Sequence, residues 1–217
     1  MNNLIIVGFM SFLSVSCSLF GIGSEEQPKY EVIFKSNNKE IRKYAPYIVA
    51  KTTVEGSFEE AQSRGFKILA GYIFGKNKSK KSISMTSPAI QKSDSENEKI
   101  SMTSPVIIKS DKNQKSWTMS FSMPSKFTLE SLPIPNDERV KLEKVDSRFV
   151  AALRFTGFWN KDKNEEKASE LISWLEKNKK FIINSKPMFA GYNPPWTIPI
   201  FRRNEILIEL EEININN

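Results

Sequence analysis

IVAKTTVEGSF at 48–58 and FVAALRFTGFW at 149–159 align without a gap, placing Val49 on Val150, Ala50 on Ala151 and Gly56 on Gly157. Each stretch begins as a β-branched, alternating run suited to a strand and then meets a glycine. Beyond that glycine the apolar period lengthens. After the first copy, Ser57-Phe-Glu-Glu60 forms a capping box, and Phe58, Ala61, Gly65, Phe66, Leu69, Tyr72 and Ile73 follow at helical spacing. The pattern predicts a helix over about 58–74, stopped at Gly75. After the second copy, NEEKASELISWLEKNKK carries Ala168, Leu171, Ile172 and Leu175 as the apolar stripe of a second helix.

Working outward, YEVIFKSNNKEIRKY before the first copy reads as two strands turning at Asn37-Asn38. SWTMSFSMP returns as a strand after the first helix, and NEILIEL after the second. The chain thus reads as two strand–helix–strand halves that share one sheet or barrel in a single α+β domain. A second repeat lies inside the first half: ISMTSP occurs at 83–88 and again at 100–105, around the polar spacer QKSDSENEK. Each copy is expected as a short strand stopped by its proline, which cannot donate to a ladder, and the two are expected to pair at the rim.

The chain of 217 residues is long enough to bury its own core, and 39% hydrophobic with 26% charged residues is ordinary globular composition. The formal charge of +7 comes from dispersed Lys rather than clustered Arg, which reads as a solvated surface and gives no nucleic-acid footprint. There is no histidine. That excludes Ser-His-Asp and Cys-His nucleophiles, His-dependent zinc sites and a proximal His on haem iron. No catalytic residues are assigned.

The run LIIVGFMSFLSV at 4–15 is uncharged and precedes Ser16-Cys17-Ser18. This resembles a bacterial lipoprotein signal, with Cys17 the lipid-modified residue, 18–28 a tether and 29–213 the folded domain. A plain secretory signal or an uncleaved anchor is the alternative reading, since 4–22 approaches the length of a membrane span. Either reading places the domain at the cell envelope, on the periplasmic side, with the lipid form directed to the outer membrane.

The repeated ISMTSP blocks, MPSKFTLESLPIPNDERVKLEKV, RFVAALRFTGFW and YNPPWTIPIFRRNEILIEL together resemble the SOUL haem-binding protein family over about 30–210. The resemblance implies a distorted eight-stranded antiparallel barrel with two helices packed outside and a pseudo-twofold repeat. It also implies non-enzymatic binding of haem or another tetrapyrrole in a shallow apolar groove between the first helix and the loop before the last strand. Carried onto this chain, the helix side is Phe66, Leu69, Ala70 and Ile73, with Arg64 or Lys67 meeting propionates, and the loop side runs from Tyr192 to Thr197 with Trp196 its largest apolar surface. With no histidine, an iron ligand would be Tyr, Met or Lys, with Tyr72 and Tyr192 the candidates. The alternatives are an effector-binding-like module for another amphipathic molecule and a structural envelope protein. Arg202-Arg203-Asn204-Glu205 is expected to pin the last strand by charge-assisted hydrogen bonds.

Overall fold

A computed structural model describes residues 25–80, 97–111, 113–178 and 180–211. The signal segment with Cys17, the first ISMTSP copy and its pairing with the second lie outside the described residues.

In chain order the elements are β1 (Tyr30–Ser36), β2 (Lys39–Tyr44), β3 (Tyr47–Glu55), α1 (Phe58–Ile73), β4 (Asn77–Lys78), β5 (Val106–Ser110), β6 (Ser116–Ser122), β7 (Ile134–Pro135), β8 (Lys141–Val145), β9 (Arg148–Phe155), α2 (Lys161–Lys177), β10 (Met188–Gly191) and β11 (Asn204–Leu210). Nine strands form one antiparallel sheet in the order β1-β2-β9-β11-β10-β5-β6-β3-β8, and β4 pairs separately with β7. The expected eight-stranded barrel is therefore a nine-stranded, curled half-barrel whose outermost strands do not pair with each other. Both edges explain this. β1 is bulged between Val32 and Phe34, and β8 carries Lys141, Glu143 and Lys144 within five residues, features that blunt a pairing edge.

The order is a palindrome of the two halves. β5-β6-β3 of the first half mirrors β10-β11-β9 of the second about the β5–β10 contact, and α1 packs on β3 and β6 as α2 packs on β9 and β11. The halves also exchange a strand: β2, which leads into β3, pairs with β9, and β8, which leads into β9, pairs with β3. One sheet thus joins the halves, and neither closes alone.

The aligned glycines occupy equivalent corners. Gly56 has φ +125° and Gly157 φ +114°, a region where a side chain is strained. A Cβ on Gly56 would also stand 2.4 Å from the Glu60 carboxylate. That carboxylate is fixed because Ser57 N–H donates to Glu60 Oε2 at 2.9 Å while Glu60 N–H donates to Ser57 Oγ at 3.2 Å, the reciprocal bonds of the capping box. α2 begins at Lys161, three residues before the run that starts at Asn164, because Asn160 caps it through the Lys163 N–H at 3.0 Å. The β1–β2 hairpin turns at Asn37, with φ +52°, as the Asn-Asn pair predicts.

The second ISMTSP copy is not a strand. Ile100 N–H donates to Ile73 O at 2.8 Å, Thr103 Oγ1 donates to Ser122 O at 2.5 Å, and ladder pairing begins only at Val106, after the cis Ser104–Pro105 bond. Ile100 and Thr103 point inward while Met102 is exposed. Burial at a three-residue step cannot come from an alternating strand, and the segment is held by side-chain and loop contacts instead.

Alternation along the central strands separates two apolar clusters. Ala151, Leu153, Ile206 and Ile208 face the helices, joined by Phe58, Leu69 and Leu171. Val150, Ala152 and Leu207 face the other way with Tyr44, Met188 and Tyr192. Each fully buried Leu or Ile contributes about 1.5–3 kcal/mol relative to exposure, so the helix-side cluster carries most of the stability.

Candidate functional site

The α1 residues expected to line a groove do share a stripe, but the sheet already covers most of it. Leu69, Ala70 and Ile73 are buried in the helix-side core. Phe66, at the margin, is partly exposed with its ring 5.5 Å from Phe121 of β6. Arg64 and Lys67 are exposed, and Arg64 Nη1 donates to Glu55 O at 3.3 Å. A helix long enough to pack on β3 and β6 spends its apolar face on that contact.

The loop 192–203 provides the open apolar surface. Trp196 is 66% exposed, Ile200 67% and, from the facing corner, Phe158 64%; Ile198 and Phe201 are exposed as well. The polar framework beneath them is specific. Gly157 N–H donates to Pro199 O at 2.9 Å, Asn204 Nδ2 to Gly157 O at 3.0 Å, and Arg202 Nε to Thr197 O at 2.8 Å, with the Arg202 guanidinium 5.7 Å from the Phe158 ring centre. The loop is rooted beside the N-terminal end of α1: Trp159 contacts Gly191, and its ring lies 6.1 Å from that of Phe58. Ile73 is about 22 Å further along the helix at 1.5 Å per residue, so the C-terminal turn of α1 does not share a groove with the loop.

Tyr192 lies elsewhere, on the sheet face opposite the helices. Its hydroxyl donates to Glu205 Oε2 at 2.7 Å, and Glu205 also accepts from Arg42 at 2.6 and 3.0 Å and from Arg203 at 3.0 and 2.8 Å. Arg203 stacks 3.9 Å above the Tyr192 ring and Arg42 4.5 Å from the Tyr30 ring. Burial pushes the Glu205 carboxyl up, but the hydrogen bonds and charge of Arg42, with Arg203 and Tyr192, outweigh it and hold it below the usual carboxylate range. Burial, then the Glu205 charge, pushes the Tyr192 hydroxyl well up, and burial pushes Tyr44 to about 12. The expected pinning of the last strand is present and reaches across to β2 through Arg42. Arg42 was not anticipated, because KEIRKY carries four charged residues and nothing local marks Arg42 as the one that turns inward to meet Glu205.

Neither tyrosine considered for iron presents a free hydroxyl. Tyr72 donates to Pro133 O at 2.9 Å in the core, and Tyr192 is engaged by Glu205. Among the described residues no group of three or more His, Cys, Asp or Glu could hold a metal ion. No helix among them is long and apolar enough to cross a membrane.

A duplicated α+β half-barrel with helices on one face resembles SOUL and effector-binding domains in fold. The C-terminal domain of EcmrR matches with TM-score 0.56 at 12% identity, over 85% of this chain and 99% of that one. A hydrolase from Listeria innocua matches with TM-score 0.51 at 12% identity, over 82% and 94%. Sequence similarity is narrower: the model for "SOUL heme-binding protein" matches residues 25–95 and 90–209, and the chain belongs to that family. It is 29% identical over 181 residues to mouse "Heme-binding protein 2", covering 82% of this chain and 81% of the relative. To the human "Heme-binding protein 2" it is 30% identical over 175 residues, covering 80% and 78%.

Proposed function

We propose that the protein is a non-enzymatic binder of haem or a related tetrapyrrole, held at the cell envelope by its N-terminus. The observation that carries this reading is the exposure of Trp196, Ile198, Ile200 and Phe201 on the loop that the family resemblance points to, with Phe158 exposed at the neighbouring corner. The residues fit a porphyrin through contact with its face. Phe66 supplies the helix side, with Arg64 and Lys67 beside it for propionates. Bound haem would supply a flat apolar face and two carboxylates. Tyr72 and Tyr192 are spent on other partners, so binding rests on apolar contact rather than on either phenol. The names of the relatives and the family membership support the ligand class.

Haemin titrated into the full chain should shift the Soret band saturably at one equivalent. Trp196→Ala and Phe66→Asp should each weaken binding about tenfold or more, as truncation of an interface aromatic does, with an unchanged far-UV spectrum. Unsaturable binding, or indifference to both changes, refutes the site.

The envelope reading is supported by the uncharged run before Cys17. Expressed with labelled palmitate, the chain should take up label and sediment with membranes. Cys17→Ser should abolish the label, and label persisting in that variant rules out lipidation there.

A further inference from the structure

The face opposite the helices is crossed by a strap. Residues 25–28, assigned by the sequence to the tether, lie on the folded body: Ser104 N–H donates to Glu26 O at 3.0 Å, Ser125 N–H to Glu26 Oε1 at 2.8 Å, Ala45 N–H to Lys29 O at 3.0 Å, and Arg203 Nη1 to Gln27 Oε1 at 3.3 Å. On one side of the strap is a cavity of about 400 Å³ lined by Tyr47 from the open face and by Ile48, Met123 and Phe127, which pack with the helix-side cluster, so it lies where the sheet ends rather than over its open face. On the other side, over the centre of the sheet, is a void of about 10 Å³ walled by Tyr44, Ile107, Val150, Met188 and Leu207. Pro28 and Tyr47 line both. They are the partition, and the strap carries half of it.

Two observations indicate what the joined space would take. Arg148 lines the small void, and its Nε is buried without a hydrogen-bond partner among the described residues. Its other nitrogens are engaged, Nη1 with Glu209 and Nη2 with the Tyr47 hydroxyl at 2.6 Å. A buried guanidinium nitrogen calls for an acceptor, and the void alone is too small for more than about one water. At the mouth of the large cavity stand Lys29 and Lys144. Of the two glutamates there, Glu26 accepts from Ser125 N–H and Glu130 is exposed.

We infer that the space on the two sides of the strap Glu26–Lys29 is a second ligand site, gated by that strap, for an amphipathic monocarboxylate with an aliphatic body. The body lies against Tyr47, Met123 and Phe127 and passes the displaced Pro28, the carboxylate is recognised inside by Arg148, and Lys29 and Lys144 along the large cavity draw the anion in. The site is independent of the loop face assigned to the tetrapyrrole.

Decanoate titrated calorimetrically into the full chain tests this, with decanol as the uncharged control. Expected are saturable binding of decanoate, about tenfold or more weaker binding of decanol, and loss of decanoate binding in Pro28→Trp, whose ring fills the partition. Gln27→Ala frees the strap from Arg203 and should tighten binding about two- to fivefold, the worth of one hydrogen bond. The haemin titration should be unchanged in Pro28→Trp, so failure here and failure of the tetrapyrrole reading are read separately. Equal binding of decanol, no effect of Pro28→Trp in a folded variant, no saturable heat, or loss of decanoate binding in Trp196→Ala each overturns the inference; in the last case the carboxylate occupies the loop face instead.

Discussion

Glu205→Ala should lower stability by about 3–5 kcal/mol, the loss typical when one partner of a buried ionic group is removed. Glu205 is 0% exposed and takes hydrogen bonds from Arg42, Arg203 and Tyr192. Without it two guanidinium groups share a buried face, and only Glu40 remains beside Arg42, at 2.8 Å. The cost therefore arises from uncompensated charge more than from lost attraction. Urea unfolding followed by far-UV circular dichroism measures it, and a loss under 1 kcal/mol would mean that the arginines reach water when the carboxylate is gone. Linkage gives a second readout. The folded Glu205 pKa is lowered below its unfolded value, near 4.5, so its stabilisation is fully present above that value. It is lost as pH falls from about 4.5 through the lower folded pKa. The wild type should therefore lose stability more steeply below pH ~4.5 than Glu205→Gln, which cannot titrate.

Phe58→Ala should cost a similar amount, about 3–5 kcal/mol, and lower the midpoint of thermal unfolding by roughly 6–20 °C for a domain of this size. Phe58 is 1% exposed at the first turn of α1, and its ring meets three others edge-on: Trp117 at 5.2 Å, Phe189 at 6.0 Å and Trp159 at 6.1 Å. Trp117 belongs to the first half of the fold, whereas Trp159 and Phe189 belong to the second. Truncation opens a cavity at the joint between halves, where α1, β6, β10 and the loop that carries Trp159 limit collapse. Calorimetry with near-UV dichroism checks this. A shift under about 3 °C would show that the tryptophans close the space by themselves.

Much of the fold was legible in the chain. The IVAKTTVEGSF and FVAALRFTGFW match located both long strands, and its glycines fell on two corners that need positive φ. Ser57 and Glu60 marked the start of α1 to the residue. The candidate site was legible only in part. Trp196 was placed in the loop before the last strand, where the structure has it exposed, but Leu69, Ala70 and Ile73 went to the core. Periodicity identifies an apolar face and is silent on whether sheet or ligand covers it. The same blindness made ISMTSP look like a strand, because alternation over six residues fits equally a loop anchored at Ile100 and Thr103.

The sequence by itself determined the duplicated α+β plan, the capped helices, the hairpin at Asn37-Asn38 and the absence of histidine chemistry. Those properties follow from dihedral preferences, capping bonds and side-chain period, which act over a few residues. Only the tertiary structure decided that the halves exchange β2 and β8, that the sheet stays open, that Arg42 meets Glu205 across 163 positions, and that residues 26–29 cross the open face. Each of those is a choice among distant partners of similar local fitness. It is settled by the burial and charge pairing of the whole sheet, which no short window of sequence contains.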